Sequence, residues 1–159
     1  METADKIATL DVTKARVNEW KRQGKRVVFT NGCFDLLHLG HVDYLEKARN
    51  LGDILVVGLN TDASVGKFKG PDRPIQDQRS RARVIAALQA VDLVVFFDEE
   101  TPKNLISALV PQVLVKGSDY LAENIIGADV VKGAGGEVRT IEFVPGYSTT
   151  RIVEKIKGI

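Results

Sequence analysis

The sequence predicts an α/β fold, a five-stranded parallel sheet with helices on both faces, and three observations predict it. Five short apolar runs alternate with segments of helical period. The second run, Ile54–Leu59, is apolar without alternation, as a parallel strand covered on both faces must be. Polar and glycine-containing segments gather just after these runs, at the strand ends where such sheets bind ligands. The 159 residues, 1–159, are expected to form a single domain, large enough to bury a core without disulfides or a structural metal.

Taken in order, residues 1–10 read as a flexible lead-in. Asp11 or Thr13 can cap a short helix that carries Val17 and Trp20 on one face and closes at Gly24. Strand one, Arg26–Thr30, runs into a glycine turn at Gly32 and a helix over Leu39–Asn50, with Val42, Leu45 and Ala48 inward. Strand two is followed by about seventeen residues, 61–77, with no convincing long element, and loops of this length in compact domains are usually functional or mobile. A helix over Gln78–Ala90 and strand three, Leu93–Phe97, come next. Thr101 as cap and Pro102 at the first helical position open another helix. Strand four is Val113–Val115, residues 121–134 form a helical crossover, strand five is Val138–Phe143, and a last helix starts near Ser148.

Composition removes several function classes. With 22 basic and 21 acidic residues and a net charge of +1, no broad polyanion-binding face is expected, so nucleic acid is not an expected partner. One cysteine and two histidines leave neither an intramolecular disulfide nor a zinc set, and no protein-built metal site is expected. The N-terminal METADKIATL lacks the apolar core of a signal peptide, and no apolar run approaches the ~20 residues needed to span a bilayer. A cytoplasmic protein without a membrane partner is expected.

The chemistry is concentrated in Arg26–His41, RVVFTNGCFDLLHLGH, which holds both histidines. A helix mouth offers unpaired N–H groups and the positive end of its dipole, and imidazoles at i and i+3 add donors aimed at the same oxygens. Gly40 between them lets a nucleotide approach the backbone. These features describe a phosphate site. Thr30–Asp35 with His38 and His41, Asn60 and Asp62, Lys116–Asp119, and Gly146–Thr150 follow strands one, two, four and five, so four loops converge on one crevice. Lys67, Lys69 and Arg73 in the long loop add cations. No Gly-x-Gly-x-x-Gly follows strand one, and Gly66-Lys67 is followed by Phe68, so neither a dinucleotide fingerprint nor a P-loop is present.

The ordered set Gly32-Cys33-Phe34-Asp35, His38-Leu39-Gly40-His41 and Ser148-Thr149-Thr150 resembles the Rossmann-like nucleotidyltransferase superfamily of HxGH type that includes the cytidylyltransferases. Asn60–Val65, Lys67–Gly70, Arg73-Pro74, Asp98–Pro102 and Val115–Tyr120 are similar, within it, to the adenylyltransferase half of the bifunctional ADP-heptose synthases. No sugar-kinase domain accompanies it, so a stand-alone adenylyltransferase is expected. Phe143 stands where cytidylyltransferases carry an arginine, which removes an anion contact those enzymes use. The class I aminoacyl-tRNA synthetases share the HxGH element, but they are much larger and have a second lysine signature absent here.

The resemblance implies transfer of AMP from ATP to D-glycero-D-manno-heptose 1-phosphate, giving ADP-heptose and pyrophosphate, by in-line attack on the α-phosphorus. His38, His41, Lys67 and Lys69 would be catalytic. Thr30, Asn31, Gly32, Cys33, Phe34, Gly40, Gly117, Asp119, Ser148, Thr149 and Thr150 would bind nucleotide, and Asp35, Asn60, Asp62, Arg73 and Lys116 the acceptor. Arg81 resembles a family arginine and can equally be structural. Mg²⁺ would be bound mainly through the nucleotide phosphates, with no protein metal cage. A homo-oligomer, a dimer, is expected. Two alternatives stand beside this reading: transfer of a cytidylyl or adenylyl group to another phosphorylated acceptor such as glycerol 3-phosphate, and a nucleotide-binding module without turnover.

Overall fold

The computed structural model describes residues 2–159. Met1, the first residue of the expected lead-in, lies outside the described residues. The fold class is as expected, with one strand more: six parallel strands form one sheet. These are β1 (Ile7–Ala8), β2 (Val27–Gly32), β3 (Ile54–Asn60), β4 (Leu93–Phe97), β5 (Val113–Gly117) and β6 (Glu137–Ile141), in the order β1-β4-β3-β2-β5-β6. The chain builds outward from β2 through β3 to β4, then returns across the sheet to β5 and β6. The strand order therefore reverses between β2 and β5, and a crevice opens beyond their C-terminal ends.

Helices cover both faces because the strands are apolar on both. All seven residues of β3 are buried. On one face α2 (Leu39–Arg49) and α4 (Gln78–Ala86) pack Tyr44, Leu45, Ala48, Ala82 and Ile85 against Val28, Leu55, Val57 and Val115. On the other, α1 (Leu10–Arg22), α5 (Lys103–Leu109) and α6 (Ala128–Gly133) pack Val17, Leu105, Ile106, Leu109 and Val131 against Val27, Phe29, Val56 and Leu114. Two further helices, α3 (Asp62–Lys69) and α7 (Thr149–Lys157), stand at the C-terminal edge of the sheet.

Residues 2–10 of the expected lead-in carry structure of their own. Thr3–Lys6 make a 3₁₀ turn, and Ile7–Ala8 pair with Val94–Val95 as the sixth strand, covering the edge of β4. Thr9, rather than Asp11 or Thr13, caps α1 through an N–H···O bond from Val12, and Thr13 is buried. The expected loop after Asn60 contains α3, capped by Thr61 and anchored by buried Ser64 and Val65. The helix from Gln78 ends at Ala86 rather than Ala90, and Pro102 takes the cap position of α5 in place of Thr101. The crossover expected over 121–134 divides into a 3₁₀ turn, Ala122–Asn124, and α6. β6 stops at Ile141, so Phe143 stands outside the sheet.

Candidate active site

The turn after β2 sets the geometry of the crevice. β2 runs through Gly32, and the chain reverses at Phe34, which adopts left-handed φ of 47°. Such a conformation costs a bulky residue about 1–3 kcal/mol and persists only where its surroundings enforce it. Here the Phe34 ring is buried and meets His41 edge-on at 5.3 Å. Asp35, 3% exposed, accepts the backbone N–H groups of Ile75 at 2.8 Å and Gln76 at 2.9 Å. The Gln76 side chain donates back to the Asp35 carbonyl, and the Arg73 guanidinium lies 3.5 Å from the same carboxylate. The Arg81 side chain, fully buried, donates to the Cys33 carbonyl at 2.8 Å, the Gln76 carbonyl at 3.0 Å and the Asp62 carboxylate at 2.8 Å. One buried cation thus ties the turn, the segment before α4 and the mouth of α3.

The two histidines follow as the opening residues of α2. His38 is the N-cap, and its Nδ1 accepts the Gly40 N–H at 3.1 Å, which leaves Nε2 to carry the proton of the neutral ring. His41, one turn on, stacks on it with ring centroids 3.9 Å apart. Burial, then the neighbouring His38, then Lys69 push the His41 pKa down to about 4, and burial lowers that of His38 as well. Both rings are therefore neutral donors near pH 7 in the ligand-free protein. His41 Nδ1 is buried without a partner among the described residues, an unmet capacity inside the site.

Two adjoining cavities occupy the crevice. The larger, of about 550 Å³, is lined by Asn31–Asp35, His38, Gly40, His41, Tyr44, Lys69, Lys116, Gly117, Asp119, Tyr120 and Phe143–Thr149. The second, of about 390 Å³, shares Asn31, Gly32, Cys33, Lys116 and Tyr120 with it and adds Asn60, Phe68, Glu100–Pro102, Ile125 and Ile126. Lys116 lies on this common wall with its Nζ 5.3 Å from the Tyr120 ring centre and has no ion pair among the described residues. Burial lowers its pKa, opposed by Asp119. Asn31 Oδ1, on the same wall, is buried and has no partner among the described residues.

Several residues stand elsewhere than expected. Asp35 and Arg73 pair within the protein, and Asp62 accepts from Arg81, so each of the three already has a protein partner. Thr30 is fully buried beneath the cavity and shares a 2.8 Å hydrogen bond with the Tyr44 hydroxyl, while donating to the Val115 carbonyl. Lys67 and Lys69 lie on the last turn of α3, where residues two apart point to different sides; Lys69 lines the larger cavity and Lys67 neither. Thr150 is exposed and also lines neither cavity. Asn60 accepts from the Cys33 thiol at 3.7 Å and donates to Ser64 Oγ at 3.0 Å at the edge of the second cavity. Burial raises the Cys33 pKa, which keeps it a thiol. The sequence reading gave no place in the site to Tyr44, Val144 or Pro145, and named Tyr120, Phe143, Gly146 and Tyr147 without a role as lining residues. Tyr44, three residues after His41, shares its helical face, and that spacing was a usable signal.

Around the nucleotide-sized cavity no group of three or more metal-ligating side chains exists among the described residues. Likewise among them, no helix is long and apolar enough to cross a membrane.

Comparison with known proteins agrees with this geometry. The chain is 57% identical over 153 residues to the bifunctional protein HldE of Methylobacillus flagellatus and 58% identical over 152 residues to that of Geotalea uraniireducens. Each match covers 96% of this chain and 31% of the relative, so the chain spans about a third of the relatives' length. The crystal structure of the lipopolysaccharide core biosynthesis protein from Thermoplasma volcanium is 30% identical, with a TM-score of 0.60, over 76% of this chain and 98% of that one. Pantothenate synthetase from Thermus thermophilus, 16% identical with a TM-score of 0.65 over 96% of this chain and 70% of its own, shares the fold. The model of the cytidylyltransferase-like family matches residues 29–155, from β2 through most of α7, and the chain belongs to that family.

Proposed function

We propose that the chain is an adenylyltransferase that joins ATP and D-glycero-D-manno-heptose 1-phosphate into ADP-heptose and pyrophosphate. The observation that carries this reading is the wall between the two cavities: Lys116, a cation without an ion pair among the described residues, and Asn31 line both a nucleotide-sized space and a smaller one bordered by Asn60, Glu100 and Thr101. A phosphate nucleophile in the second cavity and an α-phosphate in the first would meet there. The high identity to HldE proteins, and the described role of the Thermoplasma relative in lipopolysaccharide core synthesis, favour a heptose acceptor over others.

In this reading the mouth of α2 holds the triphosphate. His38 Nε2–H and His41 donate to oxygens that gain charge in the transition state, with Lys69 and the Ser148 hydroxyl beside them. Asn31, Gly32, Cys33, Phe34 and Gly40 supply wall and close backbone approach, and Gly117 and Asp119 border the nucleoside end. A sugar phosphate, with a second pKa of about 6, is mostly ionised at neutral pH and needs no base to remove a proton. Lys116 would orient it, with Asn60 and Thr101 offering polar groups to the sugar. ATP would enter with Mg²⁺, which supplies charge neutralisation at the phosphates. The only carboxylate of the larger cavity not already engaged with amides is Asp119, which suits an ion liganded chiefly by phosphate and water.

The expected homodimer belongs to the same proposal. Light scattering at about twice the chain mass is the expected reading. The activity is tested by a pyrophosphate-release screen of nucleotides against phosphorylated acceptors. ATP with D-glycero-D-manno-heptose 1-phosphate is expected to give the highest kcat/KM, above CTP with the same sugar and ATP with glycerol 3-phosphate. A preference for CTP, or for a non-sugar acceptor, would overturn the assignment.

A further inference from the structure

We infer that Phe143 is the platform on which the nucleobase stacks, and so a determinant of nucleotide choice; this rests on the nucleotidyl-transfer reading above. The ring is 53% exposed although it is large and apolar, and it lines the larger cavity. Its position is fixed from below. A methyl group added at Gly117 would lie 2.1 Å from its Cζ, so the ring sits directly on the backbone at the end of β5. Tyr44 lies behind it, nearly parallel at 26° with ring centres 6.3 Å apart, and Tyr44 is itself held by Thr30. A seated ring with a wide exposed surface is a ready partner for a flat aromatic ligand.

Charge decides which part of a nucleotide belongs there. The groups that the reading gives to the phosphates, two histidines, the mouth of α2, Lys69 and Ser148, line the same cavity. Beside Phe143, by contrast, the Asp119 carboxylate comes within 2.9 Å of the same added methyl position. An anion would be repelled there, whereas an exocyclic amine or a ribose hydroxyl would find an acceptor. An uncharged ring selects by stacked area, and a purine has more of it than a pyrimidine. Phe143 therefore favours ATP over CTP.

The test separates base from phosphates by titration calorimetry with two probes, an ATP analogue carrying a methylene between the α and β phosphorus atoms, and inorganic tripolyphosphate. Phe143→Ala should weaken the analogue about 10- to 100-fold while leaving tripolyphosphate within about twofold, as expected for loss of one base–aromatic stack. Phe143→Trp should retain the analogue, and Phe143→Leu, which keeps bulk without a π-face, should not. In turnover, Phe143→Ala should raise KM for ATP more than it lowers kcat and should reduce the ATP-to-CTP ratio of kcat/KM. Equal weakening of both probes, or an unchanged affinity for the analogue, overturns the inference. Failure of the functional reading has another signature: no pyrophosphate from the wild type with any pair of substrates, while analogue binding still depends on Phe143.

Discussion

Two helix mouths bound the larger cavity, and they are built in opposite ways. The mouth of α2 is embedded: Gly40, Tyr44, Leu45 and Ala48 are buried, and the turn before it is held by Asp35 and Arg81. The mouth of α7 is bare. None of its nine residues is buried, and the tie from its first turn to the body is the Thr149 hydroxyl donating to the Leu36 carbonyl at 3.2 Å. Donors that must be in place before charge develops belong on the rigid side, because reorganising them during reaction would cost part of their stabilisation. A wall that closes over a ligand belongs on the loosely held side, where opening costs little.

The largest expected effect lies at the rigid mouth. His41→Ala should lower kcat about 100- to 1,000-fold, corresponding to about 2.7–4 kcal/mol for a donor aimed at developing charge. Stopped-assay turnover with saturating substrates reads it, alongside a circular dichroism melt that shows the fold retained. Wild-type turnover in this variant would move the chemistry away from α2.

Next comes the latch beneath that mouth. Arg81→Met removes the partner of two buried carbonyls and of Asp62, and should cost about 2–4 kcal/mol in urea unfolding. Arg151→Met on α7 should change stability by no more than about 0.5 kcal/mol, as is usual for exposed positions. Equal costs would show that the two mouths are equally integrated with the core.

Acidification should expose the same asymmetry. His41 has a folded pKa of about 4 against an ordinary 6.5, so between those values the unfolded chain binds more protons than the folded one. Stability should accordingly rise with pH through that window and fall as pH drops, and His41→Gln should flatten the slope. An unchanged slope of unfolding free energy against pH, measured in urea from pH 4 to 7, would mean His41 is not held neutral by its burial.

Much of this arrangement was legible in the sequence, for identifiable reasons. Continuous apolar runs separated by helical periods specify a parallel sheet, and the segments at its strand ends specify the crevice. The short β1 was not legible because two residues carry no periodicity; it exists only by pairing with β4. Helix α3 was hidden by Gly66 and an eight-residue length, and its signal lay in the Thr61 cap and the buried Ser64 and Val65. The roles of Asp35 and Arg81 were hidden because their partners, Ile75, Gln76 and Cys33, are 40, 41 and 48 residues away. Local reading sees a carboxylate next to a phosphate motif and assigns it to the ligand. Phe143 was visible as a missing arginine, but its seat on Gly117 and Tyr44 is a tertiary fact.

The smallest effect is expected at the bare mouth, and it sharpens the contrast most directly. Ser148 caps α7 by accepting the Arg151 N–H at 3.1 Å, so Ser148→Ala should cost the helix about 1 kcal/mol. Because no α7 side chain is buried, that loss should stay local. In the ligand-free protein, amide exchange in α7 should quicken about fivefold, the equivalent of that energy, while β2 and β3 amides keep their protection. Without nucleotide, this readout senses the cap alone and not any contact between Ser148 and phosphate. If α7 closes over the triphosphate, the same variant should raise KM for ATP several-fold and change kcat less. Loss of protection spreading into β2 and β3 would show α7 to be coupled to the core, and the functional division between a fixed mouth and a closing one would fail with it.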